Sequence, residues 1–214
     1  MKTIVLAAQK GGSGKTTLAV HLAVEYQRAG FRVALVDTDP QGSAAQWGRL
    51  RDTEDVLVAA VPAGDLARCM RDASGDGYDI VVVDTPPHAT VALTLTLRHA
   101  TLAVLPFRPS AFDLATLAGL SEKVRAAHVP AVALLSAAPM RAAEIQHMRK
   151  ALEEGGLQVL DTIVHDLMPF RRSIALGQSV AEFDVQGRAA MEIRALRREI
   201  DEAITSLRHE VTTP

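Results

Sequence analysis

The chain has 214 residues, 48% of them hydrophobic and 22% charged, with a formal net charge of −2. That apolar content suits one globular domain with a sizeable core, and the near-neutral charge excludes whole-molecule attraction to DNA or anionic lipid, so binding to either would need a local patch. A single cysteine, Cys69, excludes an internal disulfide and any cluster held by several thiolates of one chain, and the absence of any run near 18 uncharged apolar residues excludes a helical membrane span.

In chain order, apolar β-branched runs alternate with segments of helical period. Strands are predicted over residues 3–8, 32–37, 56–61, 79–84, 102–106, 131–137 and 158–164. Helices are predicted over 16–29, 43–51, 64–73, 89–98, 112–127, 141–154 and 189–207. This alternation predicts an α/β fold: a single domain over residues 1–214, doubly wound, with a mainly parallel sheet flanked by helices on both faces. No internal repeat, low-complexity tract or long linker interrupts it. The first strand begins almost at Met1, so no signal peptide is expected and the chain is expected to be cytoplasmic.

Between the first strand and the first helix stands Lys10-Gly11-Gly12-Ser13-Gly14-Lys15-Thr16-Thr17. Successive glycines free backbone N–H groups to wrap an anion, and the helix N-terminus adds its partial positive charge. In such a loop Lys15 reaches the β- and γ-phosphates of a nucleotide and the Thr16 hydroxyl ligates Mg²⁺. The common pattern, G-x-x-x-x-G-K-[ST], wants a glycine where this chain has Gln9.

Two strands end in carboxylates. The second closes on Val36-Asp37-Thr38-Asp39-Pro40-Gln41 and the fourth on Val83-Asp84-Thr85-Pro86-Pro87. An aspartate at the end of a buried apolar strand is costly unless it meets a cation, here a metal ion. Trp47, in the helix after the second strand, reads as core packing. Further on, Pro106 and Pro109 in Leu105-Pro106-Phe107-Arg108-Pro109-Ser110-Ala111-Phe112-Asp113-Leu114 fix a rigid turn, and Ser110 or Asp113 is placed to cap the next helix. Arg171 and Arg172 fall on a loop before the last helix. That helix carries Ile193, Leu196, Ile200, Ile204 and Leu207 on one stripe, as expected for docking onto the domain.

The K-G-G-x-G-K-T-T string resembles the deviant Walker A box of the ParA/MinD family of P-loop ATPases. The resemblance implies ATP and Mg²⁺ as ligands, with Gly11, Gly12, Ser13, Gly14, Lys15, Thr16 and Thr17 around the phosphates. It also implies a homodimer formed on ATP binding, in which Lys10 reaches across to the partner's nucleotide. Asp84 matches the Walker B aspartate that holds Mg²⁺ through water, and the D-x-D-P-Q string is similar to a further ParA box in which Asp39 orients the attacking water and Asp37 supports the metal shell. The P-x-x-P-S-x-x-D-L stretch resembles that of short ParF-like ParA proteins, which implies that Pro106 and Pro109 lie near the nucleotide base and the dimer contact.

In DNA-binding members of the family, basic residues near the last helix contact the phosphate backbone, so Arg171 and Arg172 are the candidates for nonspecific double-stranded DNA; their planar donors suit phosphates. The implied function is partition or positioning of DNA or a protein cargo. An ATP dimer holds DNA on the nucleoid and is released when a small ParB-like or cargo-adaptor partner stimulates slow hydrolysis. A MinD-like membrane switch needs an amphipathic tail, which residues 206–214 supply poorly, and no membrane contact is expected. An accessory ATPase of conjugation or secretion would share the same boxes. Nitrogenase-type reductases need cluster-bridging cysteines, and the tyrosine kinases of this superfamily need a tyrosine-rich tail where this chain has only Tyr26 and Tyr78.

Overall fold

The computed structural model describes residues 1–87, 90–140 and 143–212. Seven strands, β1 (Lys2–Leu6), β2 (Val33–Asp37), β3 (Leu57–Ala60), β4 (Ile80–Asp84), β5 (Leu102–Phe107), β6 (Ala131–Ala138) and β7 (Gln158–His165), form one sheet in the order β3-β2-β4-β1-β5-β6-β7. Every pairing is parallel. The helices are α1 (Lys15–Arg28), α2 (Ser43–Leu50), α3 (Leu66–Gly75), α4 (Thr90–Leu97), α5 (Ala111–Leu114), α6 (Leu117–Ala127), α7 (Ala143–Glu154), α8 (Met168–Ala175), α9 (Val180–Phe183) and α10 (Arg188–Thr212).

A parallel sheet must be covered on both faces, because each crossover lays a helix on one of them. Alternate residues of β1 therefore feed two cores. Ile4 and Leu6 pack with Leu18 and Leu22 of α1, Trp47 of α2 and Ile193, Leu196 and Ile200 of α10. Val5 and Ala7 pack on the other face with Leu66 of α3, Leu97 of α4, Leu120 of α6 and Met148 of α7. The α10 stripe thus docks onto the domain as its spacing predicts, with Leu207 packed partly buried against it. Chain crossovers leave β1 in both directions, towards β4 and β2 on one side and β5 and β6 on the other. This places a crevice beyond the C-terminal end of β1, where open α/β sheets bind ligands.

All seven predicted strands are present within two residues of their expected bounds, but the helices differ in two places. The predicted 112–127 helix is broken into α5 and α6. Ser110 Oγ accepts from Asp113 N–H at 3.2 Å, and Thr116 Oγ1 donates to the Asp113 carbonyl at 2.7 Å; short polar side chains here take backbone partners that a continuous helix would use. The region of Arg171 and Arg172 is helix α8, not a loop. Pro169 stands in its first turn, where a missing N–H costs nothing, and α9 follows at once behind a capping box made by Ser179 and Glu182. The expected starts of α4 at residue 89 and α7 at residue 141 lie outside the described residues, as does the end of the tail. Among the described residues no helix is long and apolar enough to cross a membrane.

Candidate functional site

A cleft of about 310 Å³ opens at the C-terminal ends of the central strands, and the glycine-rich loop forms its floor. Gly12 and Gly14 adopt φ 76° and 92°, the left-handed region that glycine tolerates without penalty. Gly14 precedes α1, and its carbonyl accepts from Leu18 N–H at 2.8 Å. The loop is pinned to β6 by Ser136, whose Oγ donates to the Ser13 carbonyl at 2.6 Å. Within it, Ser13 Oγ and Lys15 Nζ both donate to the Lys10 carbonyl at 3.4 Å. Lys15 is buried; desolvation lowers its pKa, against the upward pull of Asp84 and Asp39. A buried ammonium beside a glycine loop at a helix N-terminus suits an anion.

Gln9 explains the missing first glycine of the loop. With its amide turned to satisfy both partners, it accepts from Leu120 N–H at 3.2 Å and from Lys123 Nζ at 2.8 Å. The residue that breaks the common pattern therefore fastens the loop to α6.

On the other side of the loop, Thr16 Oγ1 donates to Asp84 Oδ2 at 2.6 Å. Asp84 is fully buried, and its Oδ1 has no hydrogen-bond partner among the described residues. Burial pushes its pKa up to about 7, opposed by the Thr16 hydrogen bond, with Asp37 and Asp39 adding to the rise and Lys15 opposing it. An orphaned, buried carboxylate oxygen next to a hydroxyl is a fitting place for a divalent cation. No group of three or more His, Cys, Asp or Glu side chains that could hold a metal converges among the described residues. Mg²⁺ takes few protein ligands and completes its shell with phosphates and water.

Asp37, expected to support the metal shell, is engaged by the backbone. Its Oδ1 accepts from Asp39 N–H at 3.0 Å and its Oδ2 from Ala45 N–H at 2.9 Å. Both oxygens thus serve backbone donors, holding the turn that presents Asp39 and fixing the start of α2. Asp39 lines the cleft with Lys15 and Thr16, its Oδ1 accepting from Gln41 N–H at 2.9 Å. Thr38 Oγ1 donates to the Asp84 carbonyl at 2.7 Å, so the ends of β2 and β4 are clamped together.

Residues 4–180 match the CobQ/CobB/MinD/ParA nucleotide-binding domain family. The chain belongs to this family. It is a ParA/MinD-type ATPase, and the residues present fit ATP with Mg²⁺. Maintenance of carboxysome distribution protein A from Halothiobacillus neapolitanus is 31% identical over 92% of this chain and 95% of its own. Among solved structures, MinD from Pyrococcus horikoshii in complex with Mg-ADP has a TM-score of 0.80 at 17% identity, covering 94% of this chain and 96% of that one. The ATP complex of a Cyanothece McdA has a TM-score of 0.74 at 16% identity, covering 96% of each chain.

Within this ParA/MinD-type cleft, the wall opposite the loop is built from residues that the sequence did not single out. Ala137 at the end of β6 and Val164, His165 and Asp166 at the end of β7 line it, with Phe170 from α8. Ala137 sits at φ 45°, a strained conformation for alanine. His165 Nδ1 lies 2.7 Å from Glu192 Oε1 on α10, which ties the wall to the last helix. The only signal for these residues is topological: they follow strands on the far side of the crevice.

Pro106, Pro109 and Arg171 stand in different relations to the cleft. Pro106 is a β5 residue in register with Leu134 and buried in the sheet, while Pro109 lines a separate pocket with Leu114 and Met148. Neither reaches the cleft; Arg108 between them does, with its guanidinium 3.7 Å from where a Cβ on Gly12 would stand. Arg171 also lines the cleft, with its guanidinium paired to Asp166 at 2.5 Å. Arg172 is exposed in the last turn of α8. Lys10 stays outside its own cleft, its Nζ 4.6 Å from the centre of the Phe112 ring.

Proposed function

We propose that this protein is a positioning ATPase of the ParA kind. ATP with Mg²⁺ closes two copies face to face, the dimer holds nonspecific double-stranded DNA on the nucleoid, and a small ParB-like or cargo-adaptor partner releases it by stimulating slow hydrolysis. Residues 1–214 act as one nucleotide-binding domain in the cytoplasm. The observation that carries this reading is a cleft equipped with Lys15, Thr16, Asp39 and Asp84 beside a loop lysine, Lys10, whose ammonium lies over Phe112 and not among the cleft's lining groups. The similarity to a carboxysome distribution protein along nearly the whole chain supports a protein assembly as cargo.

In this reading the amides of residues 11–17 and the Lys15 ammonium bind the phosphates. Thr16 Oγ1 and Asp84 would hold Mg²⁺, which would supply positive charge to offset that of the phosphates. Asp39 orients the attacking water from the cleft rim, in a position secured by Asp37. Lys10 of the partner subunit supplies the late positive charge for the transition state. Arg172 is the stronger candidate for DNA phosphates, since Arg171 is engaged by Asp166.

The test is ATPase activity with and without nonspecific duplex DNA across a salt series. DNA binding and its effect on turnover should be present at low salt and fall steeply by about 200 mM, because phosphate contacts release counterions. No DNA effect at low salt together with stimulation by anionic lipid vesicles would contradict the proposal and favour a membrane switch.

A further inference from the structure

Phe112 is 75% exposed, more than any other large apolar side chain among the described residues. It stands in the first turn of α5, in a segment fastened by its own hydrogen bonds. Ser110 Oγ donates to Asp113 Oδ2 at 2.7 Å and accepts from Asp113 N–H, while Thr116 Oγ1 closes onto the Asp113 carbonyl. The ring is therefore held out on a rigid turn with little burial in return. Over its face stands the Lys10 ammonium, 4.6 Å from the ring centre. The backbone of Lys10 is fixed as well, its carbonyl accepting from Ser13 Oγ and Lys15 Nζ. Two rigid anchors 102 positions apart in sequence thus bring a cation over an aromatic face, an attractive geometry.

We propose that Phe112 is the positioning residue for Lys10. In the nucleotide-free chain its ring holds the ammonium on the protomer's own α5, and the contact must break before Lys10 crosses to a partner's nucleotide. This rests on the dimer proposed above. Two such contacts break for each dimer formed, so the ring raises the nucleotide occupancy needed for assembly. The contact also keeps the lysine out of its own cleft, where a second ammonium would compete with Lys15 for the phosphates.

Proton NMR of the nucleotide-free chain reads the contact directly. The Lys10 ε-methylene should be shifted upfield of the other lysines by the ring current, the shift should vanish in Phe112→Leu, and it should return in Phe112→Trp, whose indole face binds cations best. Sedimentation with a non-hydrolysable ATP analogue reads the consequence: Phe112→Leu should tighten the dimer by about 5- to 30-fold, reflecting two lost contacts. The same substitution in a Lys10→Ala background should change nothing. An unshifted Lys10 methylene in the wild type, a weaker dimer in Phe112→Leu, or equal tightening without Lys10 would each overturn the inference. An upfield shift in a chain that never dimerises with the analogue would instead overturn the dimer and leave the contact standing.

Discussion

Thr16 Oγ1 and Asp84 Oδ2 meet at 2.6 Å, joining the first turn of α1 to the end of β4. The hydroxyl satisfies one oxygen of a buried carboxylate whose other oxygen has no partner among the described residues. Without a cation, that arrangement costs stability, because a buried charge lacks compensation. Asp84→Asn should therefore raise the stability of the nucleotide-free chain by about 1–3 kcal/mol, while removing the dependence of ATP binding on Mg²⁺. Thermal melts with and without Mg²⁺ and ATP check both halves. A variant that melts lower than the wild type without ligand would contradict the reading.

The same carboxylate and a distant histidine pull stability in opposite directions with pH. His21 on α1 is fully buried, with its Nδ1 accepting from Val180 N–H at 3.2 Å and its ring 5.1 Å from Phe170. Burial pushes its pKa from 6.5 down to about 3. Only the unfolded chain then protonates His21 in that range, so His21 removes stability as pH falls from 6.5 towards 3. Asp84 is raised from 3.8 to about 7, so the native chain keeps a proton that the unfolded chain has released, and stability is lost as pH rises from 4 to 7. Removing the second effect with Asp84→Asn should steepen the rise of unfolding free energy with pH between about 4.5 and 6.5. The slopes of variant and wild type should differ by up to about 1.4 kcal/mol per pH unit. Urea unfolding across this range measures it, and parallel slopes would show that Asp84 does not titrate as its burial requires.

Lys15→Ala should weaken ATP binding by roughly 10- to 100-fold, the scale of lost hydrogen bonds to a charged group. Asp39→Ala should leave ATP affinity within a few-fold and lower turnover by about 10²- to 10⁴-fold. Calorimetry and phosphate release separate the two. Loss of binding in Asp39→Ala would mean that this carboxylate builds the pocket and does not serve the water.

A second node joins α2 to the C-terminal helices. The Arg51 side chain, 3% exposed, pairs with Glu182 at 2.9 Å and Asp55 at 2.7 Å, while stacking on Trp47. Glu182 also accepts from Ser179 N–H as part of the α9 capping box. Glu182→Ala should cost about 1.5–3 kcal/mol, since it leaves a buried guanidinium with Asp55 as its one carboxylate and removes the acceptor of the Ser179 N–H. Gly177→Ala should be as damaging: φ is +68°, and an added Cβ would collide with the Leu50 carbonyl. Chemical denaturation decides, and a loss under about 0.5 kcal/mol in either variant would show that this node does not hold the fold.

How much was legible in the sequence follows from the physics of each element. Central parallel strands are buried on both faces, so Ile80-Val81-Val82-Val83 reads as an unbroken apolar run wherever it lies. The phosphate loop was legible because glycine spacing encodes its backbone geometry. Helix α8 was not, since the 8 residues Met168-Pro169-Phe170-Arg171-Arg172-Ser173-Ile174-Ala175 are too short a stretch for a helical stripe to stand out; Pro169 and the Ser179–Glu182 box were the available signals. The far wall of the cleft was hidden for another reason. Ala137, His165 and Phe170 become neighbours only through the sheet order, and nothing in their own side chains marks a ligand site. The place of Arg171 on the cleft was hidden for the same cause, since it depends on a helix that its sequence concealed.

The central claim, that ATP assembles two copies with Lys10 acting between them, is tested most directly by sedimentation equilibrium. The comparison is Asp39→Ala against Asp39→Ala with Lys10→Ala, each loaded with ATP and Mg²⁺. The account predicts a stable dimer in the first and predominantly monomer in the second, with ATP affinity in the second reduced no more than a few-fold. A monomer in both, or a dimer of equal strength in both, would contradict it.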